Sequence, residues 1–256
     1  MLDEEGRYIA SESSFYRVLR AKDEQQRRGR AAAPRHVGPP RRHEAKAPNE
    51  VYSWDVTYLP SPVRGLFYYL YLIVDLYSRK IVGAEVFHGE SAANSQQVIE
   101  RALLREGIAH RPIILHGDNG PAMKAATLTA RLEQLGVMPS YSRPRVSDDN
   151  AFSEALFRTC KYRPNYPPNG FTDIHAARDG VLGFVRWYNQ EHRHSGIRFV
   201  TPSERHEGQD QAILKKRHAI YAAAKLANPR CWSGSTRNWQ PVGAVWLNPQ
   251  KTLEAA

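Results

Sequence analysis

Cysteine is scarce: Cys160 and Cys231 are the only two in 256 residues. Two thiols make neither a disulfide framework nor a zinc cluster, so a reducing cytosolic setting is expected. Long apolar runs are missing too. The longest, Phe67 to Val74, has eight residues, too few to span a bilayer. Met1 to Phe15 shows no basic segment followed by an apolar one, so no signal peptide is expected. Acidic charge is also short, with 26 Asp+Glu against 36 Lys+Arg and a formal net charge of +10. These absences argue against membrane, secreted and collagen-like classes and favour a polyanionic partner. What is present is globular material. Hydrophobic residues make up 41%, which argues against wholesale disorder, and the length suits one or two domains with a buried core.

The positive charge is concentrated. From Arg17 to Lys46, ten Lys/Arg face three acids. This run includes Arg27, Arg28 and Arg30, which are expected to touch a nucleic-acid backbone. Each phosphate neutralised would add about 0.9 to the salt slope of binding; the bland alternative is a solvated linker. Four prolines fall between residues 34 and 48, so residues 31–50 read as an extended basic linker. Upstream, Ser11 to Lys22 predicts a short helix with Phe15, Val18 and Leu19 on one face. Such a helix buries too little to stand alone, and residues 1–30 read as the remnant of a helix-turn-helix arm.

From residue 51 the character changes. Val51–Leu59, Phe67–Val74 and Lys80–Val86 are rich in Val, Ile, Tyr and Phe and broken by turn residues, which predicts three sequential antiparallel strands. Ser91 caps a helix through Glu106, Pro112–His116 forms a strand, and Ala122–Leu135 forms a helix stopped by Gly136. Val137–Tyr141 is a fifth strand, and Asp148 or Asp149 caps a helix to Lys161. The order βββαβαβα is that of a ribonuclease-H-like α/β domain, a mixed five-stranded sheet flanked by helices, here spanning 51–205. Helices over 173–191 and 209–226 follow. Residues 206–256 form a C-terminal region whose tail carries Trp232, Trp239 and Trp246.

Three carboxylates carry the chemistry. Asp55 lies inside the first strand, on a face with Ser53 and Thr57. An acid in a central strand is costly unless it meets something positive. Asp118 follows the fourth strand in His116-Gly-Asp-Asn-Gly, and Glu154 lies on a helix stripe with Asn150, Arg158 and Lys161. Phe152, Ala155, Leu156 and Thr159 are expected to face the core. Two ionised carboxylates ~4 Å apart repel by about 4 kcal/mol at an effective dielectric of about 20. Clustered acids therefore imply raised pKa values or bound cations. An all-oxygen set without His or Cys points to Mg²⁺ or Mn²⁺ and to two-metal phosphoryl chemistry. On chemistry alone, a turn residue at Asp118 and a solvated helix acid at Glu154 are equally good readings.

Four sequence blocks add to this. They are Trp54-Asp-Val-Thr-Tyr, His116-Gly-Asp-Asn-Gly, Ser142-Arg-Pro-Arg-Val-Ser-Asp-Asp-Asn-Ala-Phe-Ser-Glu, and Trp187-Tyr-Asn-Gln-Glu-His-Arg-His-Ser-Gly, with 35 residues between Asp118 and Glu154. In this order they resemble the DDE transposases of insertion sequences, the second-reading-frame type with a retroviral-integrase-like core. The resemblance implies that Asp55, Asp118 and Glu154 bind two Mg²⁺ ions, with Mn²⁺ able to substitute. It implies DNA cleavage at element ends followed by strand transfer. Asn150, Arg158, Lys161 and His194 are then expected along the DNA, His194 touching phosphate or supporting the active-site helix. It further implies element-end and target DNA as partners, a homodimer or higher assembly on paired ends, and a bacterial cytoplasmic, nucleoid-associated setting. Two alternatives stay open: a noncatalytic DNA-binding remnant, and a ribonuclease-H-type nuclease.

The remaining polar residues have plainer readings. Asp75 reads as a turn residue or an ion pair with Arg79, and Asp148 and Asp149 as helix caps. His192 and His194 lack the further ligands zinc would need. His116 is a strand-end residue or a neighbour of the metals. Arg230, Trp232, Arg237 and Trp239 either stack on nucleic acid or pack a small terminal β element.

Overall fold

In the computed structural model, residues 6–22, 39–120, 122–143 and 147–249 are described. Arg27, Arg28 and Arg30, and with them most of the expected basic arm, lie outside the described residues. The chain divides into two units, Met1–Gly38 and Pro39–Ala256. In the first, α1 (Glu12–Ala21) starts where the Ser11 hydroxyl accepts a hydrogen bond from the Ser14 amide. None of its residues is buried, in keeping with a helix too short to make its own core.

The second unit holds the predicted sheet. Its elements are β1 (His43–Ala45), β2 (Val51–Pro60), β3 (Phe67–Asp75), β4 (Ile81–Phe87), α2 (Ala92–Arg105), β5 (Ile113–Gly117), α3 (Ala126–Gln134), β6 (Val137–Tyr141), α4 (Ala151–Lys161), α5 (Ile174–Gln190), α6 (Pro202–His206), α7 (Asp210–Ala227) and β7 (Val245–Leu247). The main sheet has the order β4-β3-β2-β5-β6. Its first three strands are antiparallel, and β2, β5 and β6 run parallel. This is the mixed, ribonuclease-H-like sheet that the element order predicts.

Alternation along β2 sorts side chains to two faces. Tyr52 and Trp54 join Tyr71, Ile73, Val98 and Leu103 in a cluster under α2 and α3. Leu59 joins Leu70, Leu72, Leu156, Phe157 and Phe184 under α4 and α5. Helices on both faces explain why β3 reads as a nearly unbroken apolar run. The expected cap Ser91 accepts from the Asn94 amide, and Asp173, at the start of an expected helix, caps it by accepting from the Ala176 amide.

Two expectations change. Residues 43–50 are not linker: β1 pairs antiparallel with β7 from the far end of the chain, and Ala45 is wholly buried with Val51, Leu76, Val245 and Leu247. A three-residue strand is invisible to periodicity when its partner lies two hundred residues away. The tail is held by Arg205, buried to 1% exposure, which donates to the carbonyls of Tyr77, Val242 and Gly243. Trp239 packs with Ile197, Val200 and Leu214, so at this position the packing reading of the tail holds. No helix among the described residues is long and apolar enough to cross a membrane.

Candidate active site

Strand register brings the first two acids together. In the parallel β2–β5 pair, Ser53 stands opposite His116. Two residues further on come Asp55, within β2, and Asp118, one residue past the end of β5, so both lie toward the same end of the sheet. β5 can approach this closely because residue 117 is glycine. A Cβ there would collide with the Trp54 indole nitrogen. Glycine is thus required beside Asp118 for packing, independently of any turn.

Helix α4 brings the third acid. The Ser53 hydroxyl bonds Asn150 Oδ1 at 2.5 Å and Ser153 Oγ at 2.7 Å, and Asn150 Nδ2 donates to the Trp54 carbonyl at 3.1 Å. Further along, Lys161 Nζ donates to Thr57 Oγ1 at 2.7 Å. Eight helical residues advance about 12 Å and four strand residues about 13 Å, so α4 runs alongside β2 in the same direction. Glu154, next to Ser153, falls near Asp55 and faces solvent.

Electrostatics records the convergence. The Asp55 carboxyl is pushed up to about 7, first by burial, then by the negative charge of Asp118 and, more weakly, of Glu154 and Glu90, against a hydrogen bond from the Val56 amide. Glu90 is the acid that sequence reading misses; it directly precedes the Ser91 cap and gave no signal of its own. The donor set is all carboxylate oxygen, which suits a hard divalent cation. Among the described residues, no three His, Cys, Asp or Glu side chains form a ready-made metal cage. The carboxylates therefore feel one another's field without yet sharing a coordination sphere.

Other predicted residues take different places. Asn150, expected along DNA, is fully buried and bonded to β2, so its side chain braces α4. The buried stripe of α4 is Ser153, Leu156, Phe157 and Cys160; Ala155, expected inside, is exposed. Small Ser153 reaches the Ser53 hydroxyl, and the whole stripe turns with it. Arg158 remains exposed. Asp149 is not a cap: its carboxylate is gripped by the backbone amide, Nε and Nη2 of Arg143, which hold its pKa down. His194 accepts from the Gly196 amide and opens a short turn. Burial and the nearby Arg79 and His192 lower it to about 4, so it offers phosphate no charge at neutral pH. Asp75 is a turn acid as read, but its partners are the amides of Asn49 and Ser78, the Ser78 hydroxyl and His206.

His116 is fully buried beneath Asp118. Burial and the neighbouring His43 lower it to about 4, leaving a neutral imidazole. Ser142, which sequence reading placed in a motif without a role, donates to Asp118 Oδ1 at 3.1 Å.

Known proteins resemble this chain in sequence family and in fold. The integrase core domain family matches over residues 45–147 and again over 135–202. A chain of the simian T-cell lymphotropic virus intasome superposes with a TM-score of 0.51 at 17% identity, covering 77% of this chain and 67% of that one. That likeness speaks for the fold alone. Within the second unit, residues 45–202 match the integrase core domain, on a ribonuclease-H-like fold. Among curated relatives, the transposase for insertion sequence element IS904 of Lactococcus lactis subsp. lactis (strain IL1403) is 28% identical over 164 residues, 63% of this chain and 62% of that protein. Transposase InsF for insertion sequence IS3A of Escherichia coli (strain K12) is 27% identical over 161 residues, 62% of this chain and 54% of that protein. The chain belongs to the integrase core domain family over residues 45–202 and is similar to insertion-sequence transposases. Its match spans about three-fifths of the length of the first of these relatives and somewhat less of the second.

Proposed function

We propose that this chain is a DNA polynucleotidyl transferase that cuts at insertion-sequence ends and joins the freed 3′-hydroxyl to a second phosphodiester. The observation that carries the reading is the β2–β5 register, Ser53 opposite His116, which brings the buried Asp55 carboxyl under the charge of Asp118 and, more weakly, Glu154. A cluster of like charges at a sheet end costs stability and makes sense when a dication enters it. Asp55, Asp118 and Glu154 would hold two Mg²⁺ ions, or Mn²⁺ in their place. When bound, these supply activation of the attacking oxygen and stabilisation of the leaving one. The chain's own residues do the rest. The β2–β5 register, with Ser53 opposite His116, supports Asp55 and Asp118 acting at one end of the sheet, and the charge of Glu154 is felt at Asp55. Arg158, one turn beyond Glu154, and Lys161, steadied by Thr57, supply positive charge for the DNA backbone. Arg27, Arg28 and Arg30 add backbone affinity. Element ends and target DNA are the substrates, and a dimer or higher assembly pairs the ends in the bacterial cytoplasm at the nucleoid.

The test is a strand-transfer assay with Mg²⁺ and cognate end DNA. Wild type is expected to nick and join, and Asp118→Asn to lose at least about a thousandfold in rate while still binding DNA. Full activity in that variant would sink the site assignment. Cutting without joining would point to a nuclease, and binding without cutting to a noncatalytic DNA-binding protein.

A further inference from the structure

Four polar side chains beneath Asp118 form a line that the metal reading leaves unused. His43 Nε2 meets Ser140 Oγ at 2.7 Å, and Ser140 Oγ meets His116 Nδ1 at 2.9 Å. His116 Nε2 lies 3.2 Å from the Asp149 carbonyl and 3.3 Å from Ser142 Oγ, which lies 3.1 Å from Asp118 Oδ1. Counting hydrogens fixes their direction. A carboxylate and a carbonyl only accept, and each hydroxyl has one hydrogen to give. Ser142 therefore donates to Asp118, and because the Asp149 carbonyl only accepts, His116 carries a hydrogen on Nε2, shared between Ser142 and that carbonyl. Nδ1 then accepts from Ser140, which in turn accepts from His43. Every hydrogen bond points from β1 toward Asp118.

The partner strand reaches the same carbonyl from the same end of the small sheet, where Leu247 stands opposite His43. Asn248, just past β7, donates from Nδ2 to the carbonyls of Asp149 and Arg41 at 3.1 and 3.2 Å. Asp149 immediately precedes Asn150, where α4 begins. Phe152, on the turn that carries Glu154, packs against the β1–β7 cluster.

We propose that the two-stranded β1–β7 sheet is a positioning clamp: His43 orients Asp118 through Ser140, His116 and Ser142, while Asn248 fixes the start of α4 and so Glu154. This rests on the carboxylates being the catalytic set. His43, Ser140, Ser142 and Asn248 are then positioning residues, and the C-terminal strand is part of the active site although it supplies none of the reacting groups.

The experiment uses the full chain with His43→Ala and Asn248→Gly. Glycine suits position 248 because its φ is +52°, so the backbone is kept while the amide is lost. Each variant is expected to lose about tenfold or more in the rate of strand transfer, since small misplacements at a reacting centre are costly. DNA affinity should stay within about twofold. Mn²⁺ affinity, read by paramagnetic resonance without DNA, should weaken by a similar factor. His43→Gln, whose amide can still donate to Ser140, should recover most of both. Nitrogen-15 NMR should show His116 as the single Nε2–H tautomer in wild type and a mixture in His43→Ala. Unchanged rate and Mn²⁺ affinity in both variants would overturn the clamp, as would a His116 tautomer indifferent to His43. If wild type itself fails to transfer strands, the functional reading falls, while the tautomer measurement still judges the clamp.

Discussion

Asp75 and Asp55 lie on neighbouring central strands, β3 and β2, and are both hidden from most solvent, yet their surroundings are opposite. Asp75 is fully buried and receives two backbone amides, a hydroxyl and a nearby imidazole. Asp55 receives one backbone amide and feels the charge of three other acids. Burial of a carboxylate is therefore no sign of function by itself. The sign is burial whose cost the protein's own donors leave uncovered.

Removing the charge should move stability in opposite directions. Asp75→Asn keeps the shape but turns an acceptor into a donor facing the Ser78 amide or hydroxyl; it should lose about 3 kcal/mol in urea unfolding. Asp55→Asn retains an oxygen for the Val56 amide and removes repulsion. With allowance for solvent screening it should gain about 1–2 kcal/mol at pH 8 while strand transfer disappears. Equal losses at both positions would break the contrast. Divalent cation should tell the two apart as well. Mg²⁺ at ten times its dissociation constant should stabilise wild type by about 1.4 kcal/mol and Asp75→Asn equally, but not Asp118→Asn.

The smallest expected effect concerns pH at the Asp75 end. Burial alone would lower His206, but Asp75 and Glu106 outweigh it and its pKa is raised. A raised histidine contributes stability that is fully present below about 6.5 and fades as the pH climbs past the folded value. Wild type should therefore lose up to about 1 kcal/mol between about pH 6.5 and 8, and His206→Gln should show no such slope.

Much of this was legible beforehand because local chemistry decides it. β-branched and aromatic runs marked β2, β3 and β4 to within a residue or so of their ends, and Ser11, Ser91 and Asp173 cap the helices their spacing announced. Helix α4 shows where local reading stops. Period 3.6 finds a helix but not which of two adjoining stripes is buried, and a 3₁₀ turn over Ser147–Asn150 precedes it. Asn150 looked like a surface donor and proved to be a strut, because Ser53 lay beneath it. Ser142 and Glu90 gave no warning, since their roles exist only across a register or between separate elements.

By itself the sequence determined the five strands of the main sheet, the starts of the helices capped by Ser11, Ser91 and Asp173, the three acids and the basic balance, all of which follow from residue type and near-neighbour spacing. Tertiary structure alone decided that Ser53 pairs with His116 and so aligns Asp55 with Asp118, that Gly117 admits the Trp54 indole, and that β7 returns to β1. Those facts join residues far apart in sequence. Loop closure, register and close packing set them, and no window of neighbouring residues contains that information.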